Sequence, residues 1–309
     1  MVPLADHVRQ AGFASDAPLS IARFGPGVDL EVLSRRRWPD GATVGTGDKF
    51  YAASLAKQVT GVAAAVLVDA GRLDPDGPIA TWLADLPPWC KALTPRQLAH
   101  HSAGLPAAGQ LEAQVSRHWT ESAAMAALAR LSGPPLLPGA CYAYSNIGYI
   151  LLARVVSAVA DLPFATFVST RLFEPNGLGA MAFASDPAAF PQAALMGPSL
   201  PFTQGDGGLW STAADFARWL QLLNDDRFGV ASSVETQGRL TDGAAILYGW
   251  GQGIRSHRGH PLFVHGGEWP GAVVKAARSR EQGFGIVAMA SATPYAGLNR
   301  LVTTLMDTF

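Results

Sequence analysis

Charged residues, lysine and cysteine are all scarce in this sequence of 309 residues. Only 15% of the residues are charged and the formal net charge is -1, so the composition offers nothing that attracts a polyanion. The longest basic run is Arg35 to Arg37. Cys90 and Cys141 lie too far apart in sequence for a zinc-binding pair and are too few for a disulfide framework. We therefore expect no nucleic-acid partner and no cysteine-based metal site.

Long apolar runs are also missing. Although 49% of the residues are hydrophobic, a typical run covers only residues 62–68, and the stretch 150–160 is interrupted by Arg154. The first residues lack the basic segment followed by an apolar one that forms an export signal. We expect no membrane span and a cytoplasmic location, or a periplasmic one if a leader has been removed.

Several motifs that identify enzymes do not occur. The sequence contains no Gly-x-Ser-x-Gly, no Gly-x-x-x-x-Gly-Lys, no Gly-x-Gly-x-x-Gly and no His-Glu-x-x-His. His257 and His260 are three residues apart, but no carboxylate or thiol cluster beside them completes a metal shell. These absences disfavour a nucleophile-elbow hydrolase, a nucleotide-binding enzyme and a zinc protease, and we expect no metal and no cofactor.

Strand patterns occur at both ends of the chain, with helical patterns between them. Strands are predicted over 19–24, 30–33, 248–255, 262–265, 272–277 and 284–289. Helices are predicted over 54–70, 121–130, 146–159, 213–224 and 295–306, and a further helix begins at Pro95 with Thr94 as its N-cap.

This order predicts an α+β fold, in which both termini form an antiparallel sheet flanked by helices and a mostly helical domain is inserted between them. The sheet domain is expected to comprise residues 1–85 and 203–309, and the helical insertion residues 86–202. The active site is expected at the interface of the two.

One of the four lysines follows a serine by three residues, in Ser54-Leu55-Ala56-Lys57. Residues three apart share a helix face, so the Lys57 amine can reach the Ser54 hydroxyl. The predicted helix is apolar on all sides, and desolvation lowers the pKa of a lysine so that its neutral amine can accept the serine proton. The four residues alone suit a capping serine and an exposed lysine equally well. Because this helix has no solvated face, the catalytic interpretation is favoured.

Tyr144 and Asn146 flank the predicted start of another helix. A phenol near a lysine can shuttle a proton, and an asparagine amide can donate to a substrate carbonyl. Aromatic residues in such a turn are, however, more often part of the core.

An apolar strand ends at His265-Gly266-Gly267. The two glycines would let backbone N–H groups approach a ligand closely, as an oxyanion hole requires, although a lone histidine at a strand end is more often structural. His100 and His101, at a predicted helix end, are expected to be structural cations near the negative pole of that helix.

Together, Ser54-x-x-Lys57, Tyr144-Ser145-Asn146 and His265-Gly266-Gly267 occur in the order and broad spacing of the penicillin-recognising serine hydrolases. The sequence resembles the branch that contains class C β-lactamases, D-Ala-D-Ala carboxypeptidases and family VIII esterases. Residues 50–53, 101–106, 207–215 and 248–251 also resemble that branch, so the similarity extends from about residue 19 to the C-terminus.

The resemblance implies a role for each matching residue. Ser54 would be the acylated nucleophile, Lys57 its proton partner, and Tyr144 a general base that also protonates the leaving group. Asn146 would orient either the substrate carbonyl or the lysine. The backbone N–H groups of Ser54 and Glu268 would form the oxyanion hole, and the strand that bears His265, Gly266 and Gly267 would bind the substrate.

His265 departs from the pattern of many β-lactamases and carboxypeptidases, which have a lysine there. Histidine is largely neutral at pH 7, and Glu268 adds negative charge, so the carboxylate of a penicillin or a D-Ala-D-Ala peptide is expected to bind weakly. We therefore expect a serine hydrolase, and specifically an esterase or amidase for small neutral acyl substrates. An apolar pocket is expected to be lined by Trp210, Trp250, Trp269 and Tyr149.

Other functions stay open at this point. The same site would suit a β-lactamase, a D-Ala-D-Ala carboxypeptidase or a D-aminopeptidase. An acyltransferase shares the acyl-enzyme and differs only in the acceptor, and a non-catalytic ligand-binding protein can share the fold. In each case the expected partner is a small ester, amide or β-lactam, and the sequence sets no oligomeric state.

Overall fold

A computed structural model describes residues 3–11, 13, 16–114, 118–198 and 200–309. The strands in this part of the chain are β1 (Leu19–Gly25), β2 (Val28–Arg35), β3 (Phe50–Tyr51), β4 (Ala182–Phe183), β5 (Leu209–Ser211), β6 (Gly238–Arg239), β7 (Ala245–Ile246), β8 (Gly253–His257), β9 (His260–Trp269), β10 (Ala272–Ser279) and β11 (Phe284–Ala290). The helices are α1 (Leu4–Gln10), α2 (Ala56–Asp69), α3 (Pro95–Ala99), α4 (Glu121–Ala129), α5 (Asn146–Ala160), α6 (Phe164–Val168), α7 (Ala213–Asn224), α8 (Ala231–Val234) and α9 (Tyr295–Met306).

The two ends of the chain build one six-stranded antiparallel sheet, in the order β2-β1-β11-β10-β9-β8. Strand β1 pairs with β11 from Leu19 opposite Ala290 to Phe24 opposite Gly285. Because successive side chains alternate between faces, Ile21 packs in a smaller core with α1 and α9, whereas Ala22 belongs to the larger core with α2 and α7. The predicted α+β fold, with an antiparallel sheet from both termini and helices inserted between them, is confirmed.

The helices between the two halves of the sheet pack around α5, which contacts α2, α3, α4 and α6. Two contacts position the site. The N-terminal ends of α2 and α5 lie side by side, and Lys57 on α2 donates a hydrogen bond to Asn146 on α5. The short 3-10 turn Ala53–Leu55 that precedes α2 lies against β9 and β10. The predicted domain boundaries at residues 85/86 and 202/203 stay a prediction.

Most predicted elements lie within a few residues of those observed. Thr94 caps α3 with a capping box, in which its hydroxyl accepts from Gln97 N and the Gln97 side chain accepts from Thr94 N. The strand predicted from residue 248 begins only at Gly253, because residues 248–252 form turns closed by a bond from Gly249 N to the Gln252 oxygen. Helices α1, α6 and α8 and the short strands β3 to β7 were not predicted.

Of the helices in the described ranges, none alone is long and apolar enough to cross a membrane. Residues Asn146–Ala160 and Phe164–Asn176 pass the same length and composition test only as a pair, with a bend of 73° between them.

A buried ion-pair network ties β10 to the end of α8. The Arg278 guanidinium, only 1% exposed, donates to Glu235 at 2.8 Å and to the Gln252 side chain at 3.0 Å. Arg280 donates to the same Glu235 carboxylate. Glu235 therefore neutralises two cations, one of them inside the protein.

We predict that Glu235→Ala lowers the free energy of unfolding by about 3 kcal/mol, because it leaves the Arg278 charge buried without a carboxylate. Urea denaturation followed by circular dichroism measures the loss. The matched control is Glu281→Ala, which removes an exposed pair with His260 and should change stability by less than about 0.5 kcal/mol. Equal losses for the two variants would contradict this view of the network.

Candidate active site

Ser54 lies in a tight turn that the surrounding structure holds in place. The residue before it, Ala53, has φ of 44°, a left-handed conformation that costs a non-glycine residue on the order of 1 kcal/mol. Ala52 N donates to the Leu209 oxygen on one side of the turn, and Leu55 N donates back to the Ala52 oxygen. The turn places the Ser54 side chain at the start of α2, facing the N-terminal end of α5.

The Lys57 side chain is fully buried beneath Ser54. Its Nζ donates to Ser54 Oγ at 3.1 Å, to Asn146 Oδ1 at 2.8 Å and to the main-chain oxygen of Asp206 at 2.8 Å. These three contacts join α2, α5 and the segment before β5. The predicted serine–lysine contact on one helix face is present, and the alternative of an exposed lysine is wrong.

Burial lowers the pKa of Lys57 to about 8, while the charges of Asp206 and Glu112 act in the opposite direction. An ammonium satisfies all three acceptors with its three N–H bonds. A neutral amine has two N–H bonds, which suit Asn146 Oδ1 and the Asp206 oxygen because both can only accept, and its lone pair then faces the Ser54 hydroxyl. The site therefore suits both protonation states, and only the neutral one can take a proton from Ser54.

Tyr144 closes the other side of the nucleophile. Lys57 Nζ lies 4.9 Å from the centre of the Tyr144 ring, and Ser54 is close enough to act on the pKa of the phenol. Burial is the largest effect on Tyr144 and raises the pKa of the phenol above its ordinary value. In the free protein Tyr144 is thus a phenol, which can donate a proton.

Asn146 is engaged by the protein on both sides of its amide. Its Oδ1 accepts from Lys57, and its Nδ2 donates to Glu112 Oε1 at 2.7 Å. Of the two roles that the resemblance left open, orienting the substrate or orienting the lysine, the structure displays the second. Glu112, which also accepts from Gly109 N, brings a partly exposed carboxylate to the edge of the site.

His265 is buried, and both of its ring nitrogens are hydrogen-bonded. Nδ1 lies 2.7 Å from the Gly266 oxygen, which can only accept, so Nδ1 carries the proton and Nε2 accepts from the Tyr248 hydroxyl at 2.9 Å. Burial and the charge of Lys57 lower the pKa of His265 to about 3. The expectation of a neutral side chain agrees with this. The imidazole holds the Tyr248 hydroxyl, and its predicted role in binding substrate stays a prediction.

The two glycines after His265 face opposite sides of the sheet. A side chain at Gly267 would lie 2.6 Å from Ser54 N, so this position must be small for β9 to reach the nucleophile. A side chain at Gly266 would lie 2.1 Å from the Tyr295 hydroxyl of α9, on the far face. Gly267 is therefore the glycine that lets β9 reach the nucleophile. Substrate binding at both glycines, and an oxyanion hole formed by the N–H groups of Ser54 and Glu268, stay predictions.

Three of the four aromatic residues predicted to line a pocket are packed inside the protein. Trp210 is stacked on Phe190, Trp250 Nε1 donates to His100 Nε2, and the Tyr149 hydroxyl donates to the Ala99 oxygen. All three are buried, and only Trp269 is partly exposed. The prediction for the buried three is therefore wrong, because apolar composition alone does not distinguish a pocket wall from the core.

His100 and His101 are buried in neutral form, which corrects their predicted role as cations. Burial lowers the pKa of both, most strongly for His101, where the charge of Lys57 adds to the effect. His101 Nδ1 accepts from Ser145 N at 3.1 Å, and its ring centre lies 4.4 Å from that of Tyr144. His101 thus supports the backbone between Tyr144 and Asn146.

The sequence did not point to Glu112 or Asp206, and it gave Tyr248 no role. Glu112 begins the short 3-10 turn Glu112–Gln114, which carries no known motif. The Asp206 contact uses a main-chain oxygen, which any residue type provides. The Tyr248-Gly249-Trp250-Gly251 match was the only available signal for Tyr248. Within the described ranges, no group of three or more His, Cys, Asp or Glu side chains is arranged to hold a metal ion.

Sequence comparison places these residues in a known family pattern. The family model described as Beta-lactamase matches residues 29–307. Penicillin-binding protein 4* of Bacillus subtilis (strain 168) is 28% identical over 261 residues, covering 73% of this chain and 57% of that protein. D-aminopeptidase of Brucella anthropi is 28% identical over 157 residues, covering 47% of this chain and 30% of that protein. The chain thus spans little more than half of the first relative's length.

The fold is similar to that of D-amino acid amidase from Ochrobactrum anthropi SV3, solved in complex with L-phenylalanine. The TM-score is 0.78 and the match covers 99% of both chains, at 19% sequence identity. At this identity the likeness concerns the fold.

The buried neutral His265 predicts a pH dependence of stability. The pKa of His265 is about 3 in the folded protein, below the ordinary 6.5. As the pH falls below 6.5, His265 therefore binds a proton in the unfolded chain but stays neutral in the folded protein. The stabilisation is complete above pH 6.5 and is lost towards pH 3, at about 1.4 kcal/mol per pH unit.

We therefore expect His265→Gln to reduce the fall in unfolding free energy between pH 6.5 and 4.5 by about 1.4 kcal/mol per unit relative to the parent protein. Urea titrations at several pH values measure the slope. His260→Gln, which removes an exposed imidazole, is the control. If unfolding free energy falls with pH as steeply in His265→Gln as in the parent protein, His265 is not the buried neutral imidazole described here.

Proposed function

Because the chain belongs to the beta-lactamase family, we propose that it is a serine hydrolase that cleaves amide or ester bonds of small substrates through an acyl-enzyme on Ser54. The membership confirms the resemblance seen in the sequence motifs. The observation that carries the proposal is the contact of 3.1 Å between Ser54 Oγ and a fully buried lysine amine. Burial of a lysine is unfavourable, and its use beside a nucleophile explains why one is placed there.

Lys57 is the base of the acylation step in this proposal. Its neutral amine takes the Ser54 proton while Oγ bonds to the substrate carbonyl carbon, and the backbone N–H groups of Ser54 and Glu268 hold the oxyanion. When the carbon–nitrogen or carbon–oxygen bond breaks, the Tyr144 phenol gives its proton to the leaving group. The resulting phenolate lies beside the Lys57 ammonium, which stabilises it.

Deacylation reverses these transfers. The Tyr144 phenolate takes a proton from water, and the hydroxide bonds to the acyl carbon. As the ester bond breaks, Ser54 Oγ recovers its proton from Lys57, so both groups return to their starting states. The resemblance implied Tyr144 as the first base, but its raised pKa makes Lys57 the better candidate for that step.

The charges around the site favour substrates without a carboxylate near the scissile bond. His265, where many relatives have a lysine, is neutral and hydrogen-bonded on both ring nitrogens. Glu112 contributes negative charge at the edge of the site. We therefore propose small neutral acyl compounds ahead of penicillins and D-Ala-D-Ala peptides, as either esters or amides.

We expect Ser54→Ala and Lys57→Met each to lower kcat/KM by 10³-fold or more on a nitrophenyl ester or anilide, on the order found when a nucleophile or its base is removed. For the parent protein, log kcat/KM should rise with unit slope towards pH 8 and then level, because the reactive amine is the deprotonated one. Stopped assays from pH 5.5 to 9.5 provide the profile.

A fluorophosphonate probe separates loss of chemistry from loss of folding. It should label the parent protein at Ser54 but not Ser54→Ala, while both unfold at similar urea concentrations. A folded Ser54→Ala variant that hydrolyses as fast as the parent would refute the proposal.

Glu112 supports a second candidate, a substrate with an ammonium group next to the scissile carbonyl, such as an amino-acid amide. Its two oxygens accept one N–H each, from Asn146 and Gly109, although a carboxylate has room for about four. The D-aminopeptidase and D-amino acid amidase named above point to the same substrate class. A substrate ammonium beside Glu112 would form a charge-assisted hydrogen bond.

The ratio of kcat/KM for alanine amide to that for N-acetylalanine amide, in both the D and L series, tests this candidate. Glu112→Gln keeps an oxygen that can accept from Asn146 but loses the charge, so the ratio should fall about tenfold or more. Because the Glu112 charge raises the pKa of Lys57, the alkaline rise in activity should also move to lower pH. A ratio that stays constant would eliminate the ammonium site and leave the neutral acyl substrates.

A further inference from the structure

Exposed apolar side chains are concentrated beside the site. Among the described residues, five large hydrophobic side chains are exposed, and four of them are Leu136 (42%), Leu137 (75%), Tyr142 (45%) and Leu247 (54%). We call these four the apolar rim. The fifth, Leu162, lies at the turn between α5 and α6, away from the catalytic residues.

The rim is held by backbone hydrogen bonds, although it belongs to loops. Leu136 N, Gly139 N and Ala143 N donate to the oxygens of Gly104, Ser102 and His101, respectively. Pro134, Pro135 and Pro138 further restrict the backbone around the two leucines. A loop fixed in this way loses little conformational freedom when it binds a ligand, so its exposed leucines provide a prepared surface.

The second half of the rim is joined to the first through the β6–β7 hairpin. Thr241 N donates to the Gly139 oxygen, and the centres of the Tyr142 and Tyr248 rings lie 6.1 Å apart. Arg255 lies nearby, where its guanidinium donates to the oxygens of Leu247 and Ile254. The exposed Arg255 guanidinium at this edge is held by two main-chain carbonyls, so one charged group adjoins the apolar side chains.

The rim is continuous with the reacting groups through Tyr248. The Tyr248 hydroxyl donates to His265, and its ring centre lies 6.3 Å from that of Tyr144. In the proposed mechanism Tyr144 protonates the leaving group, so the leaving group must lie at the Tyr144 hydroxyl. Glu112 and Asn146 occupy a different edge of the site, beyond Lys57.

From this arrangement we propose that the apolar rim binds the leaving group of the substrate, and that this group is an amine or alcohol with an aromatic or extended alkyl substituent. The inference rests on the proposed serine hydrolase function and adds the chemistry of the departing half of the substrate. An apolar substituent that continues past Tyr144 reaches Tyr142 and then the leucines, and it removes their surface from water. A small leaving group such as methanol or ammonia gains nothing from the rim.

A series of esters with one acyl group and different alcohols tests the proposal. Ethyl, hexyl, benzyl and naphthylmethyl acetates all give the same acetyl-enzyme. If deacylation is slow, kcat is therefore the same for all four esters. The value of kcat/KM differs among them, because it reports the acylation step in which the alcohol leaves. The parent protein should prefer naphthylmethyl to ethyl acetate by about tenfold or more in kcat/KM, as expected for apolar contacts of this size.

Leu137→Ser and Tyr142→Ser should reduce that preference to about threefold or less. Leu162→Ser, which changes an exposed leucine outside the rim, should leave the preference and the activity unchanged. Ethyl esters of acetic, butyric and octanoic acid form the companion series, and the two rim variants should not alter the order of activities within it.

Three outcomes would overturn the proposal: a parent protein with no preference for the larger alcohols, rim variants that retain the preference, or rim variants that change the acyl series instead. Each of them leaves the proposed function intact as long as Ser54 is labelled by a fluorophosphonate and esters are hydrolysed. If Ser54 is not labelled and no ester is hydrolysed, the proposed serine hydrolase function is refuted. This result differs from all three outcomes above, in which esters are still hydrolysed.

Discussion

The burial of one amine, Lys57 Nζ, is the constraint on which the rest of the site depends. A buried lysine is stable only if its hydrogen-bond donors are satisfied, and here the acceptors come from three separate segments: Ser54 on the turn before α2, Asn146 on α5 and the main chain of Asp206. Satisfying this amine therefore brings together α2, α5 and the segment before β5. The same burial lowers the pKa of the lysine, which provides the chemistry.

The sheet contributes to the site mainly because strand β9 comes close to Ser54. Strand β9 reaches the nucleophile because Gly267 has no side chain, and the buried Arg278 network anchors β10, the strand beside it. His265, on the same strand, supports a neighbouring aromatic side chain. As a neutral imidazole it holds the Tyr248 hydroxyl, and Tyr248 in turn connects the site to the apolar rim. His265 thus supports an aromatic wall beside the site.

The electrostatic character of the site follows from these contacts. Lys57 is the central cation, His101 and His265 are neutral, and Glu112 lies at one edge. In the proposed hydrolase, substrate selection is divided between two edges, a polar one beside Glu112 and an apolar one beside Tyr142. Amide and ester bonds between a small acyl group and an apolar leaving group suit both.

The sequence by itself determined the longer strands and helices, because local periodicity reports which residues share a strand or a helix face. Its resemblance to a known family then pointed to Ser54, Lys57, Tyr144 and Asn146. The side-chain partners of His265, the burial of Trp210 and the presence of Glu112 were decided only by the tertiary structure. Each of these depends on contacts between residues far apart in the chain, such as Asn146 with Glu112. Composition indicates that an aromatic or titratable side chain is present, but only packing decides whether it faces solvent, a partner or the core.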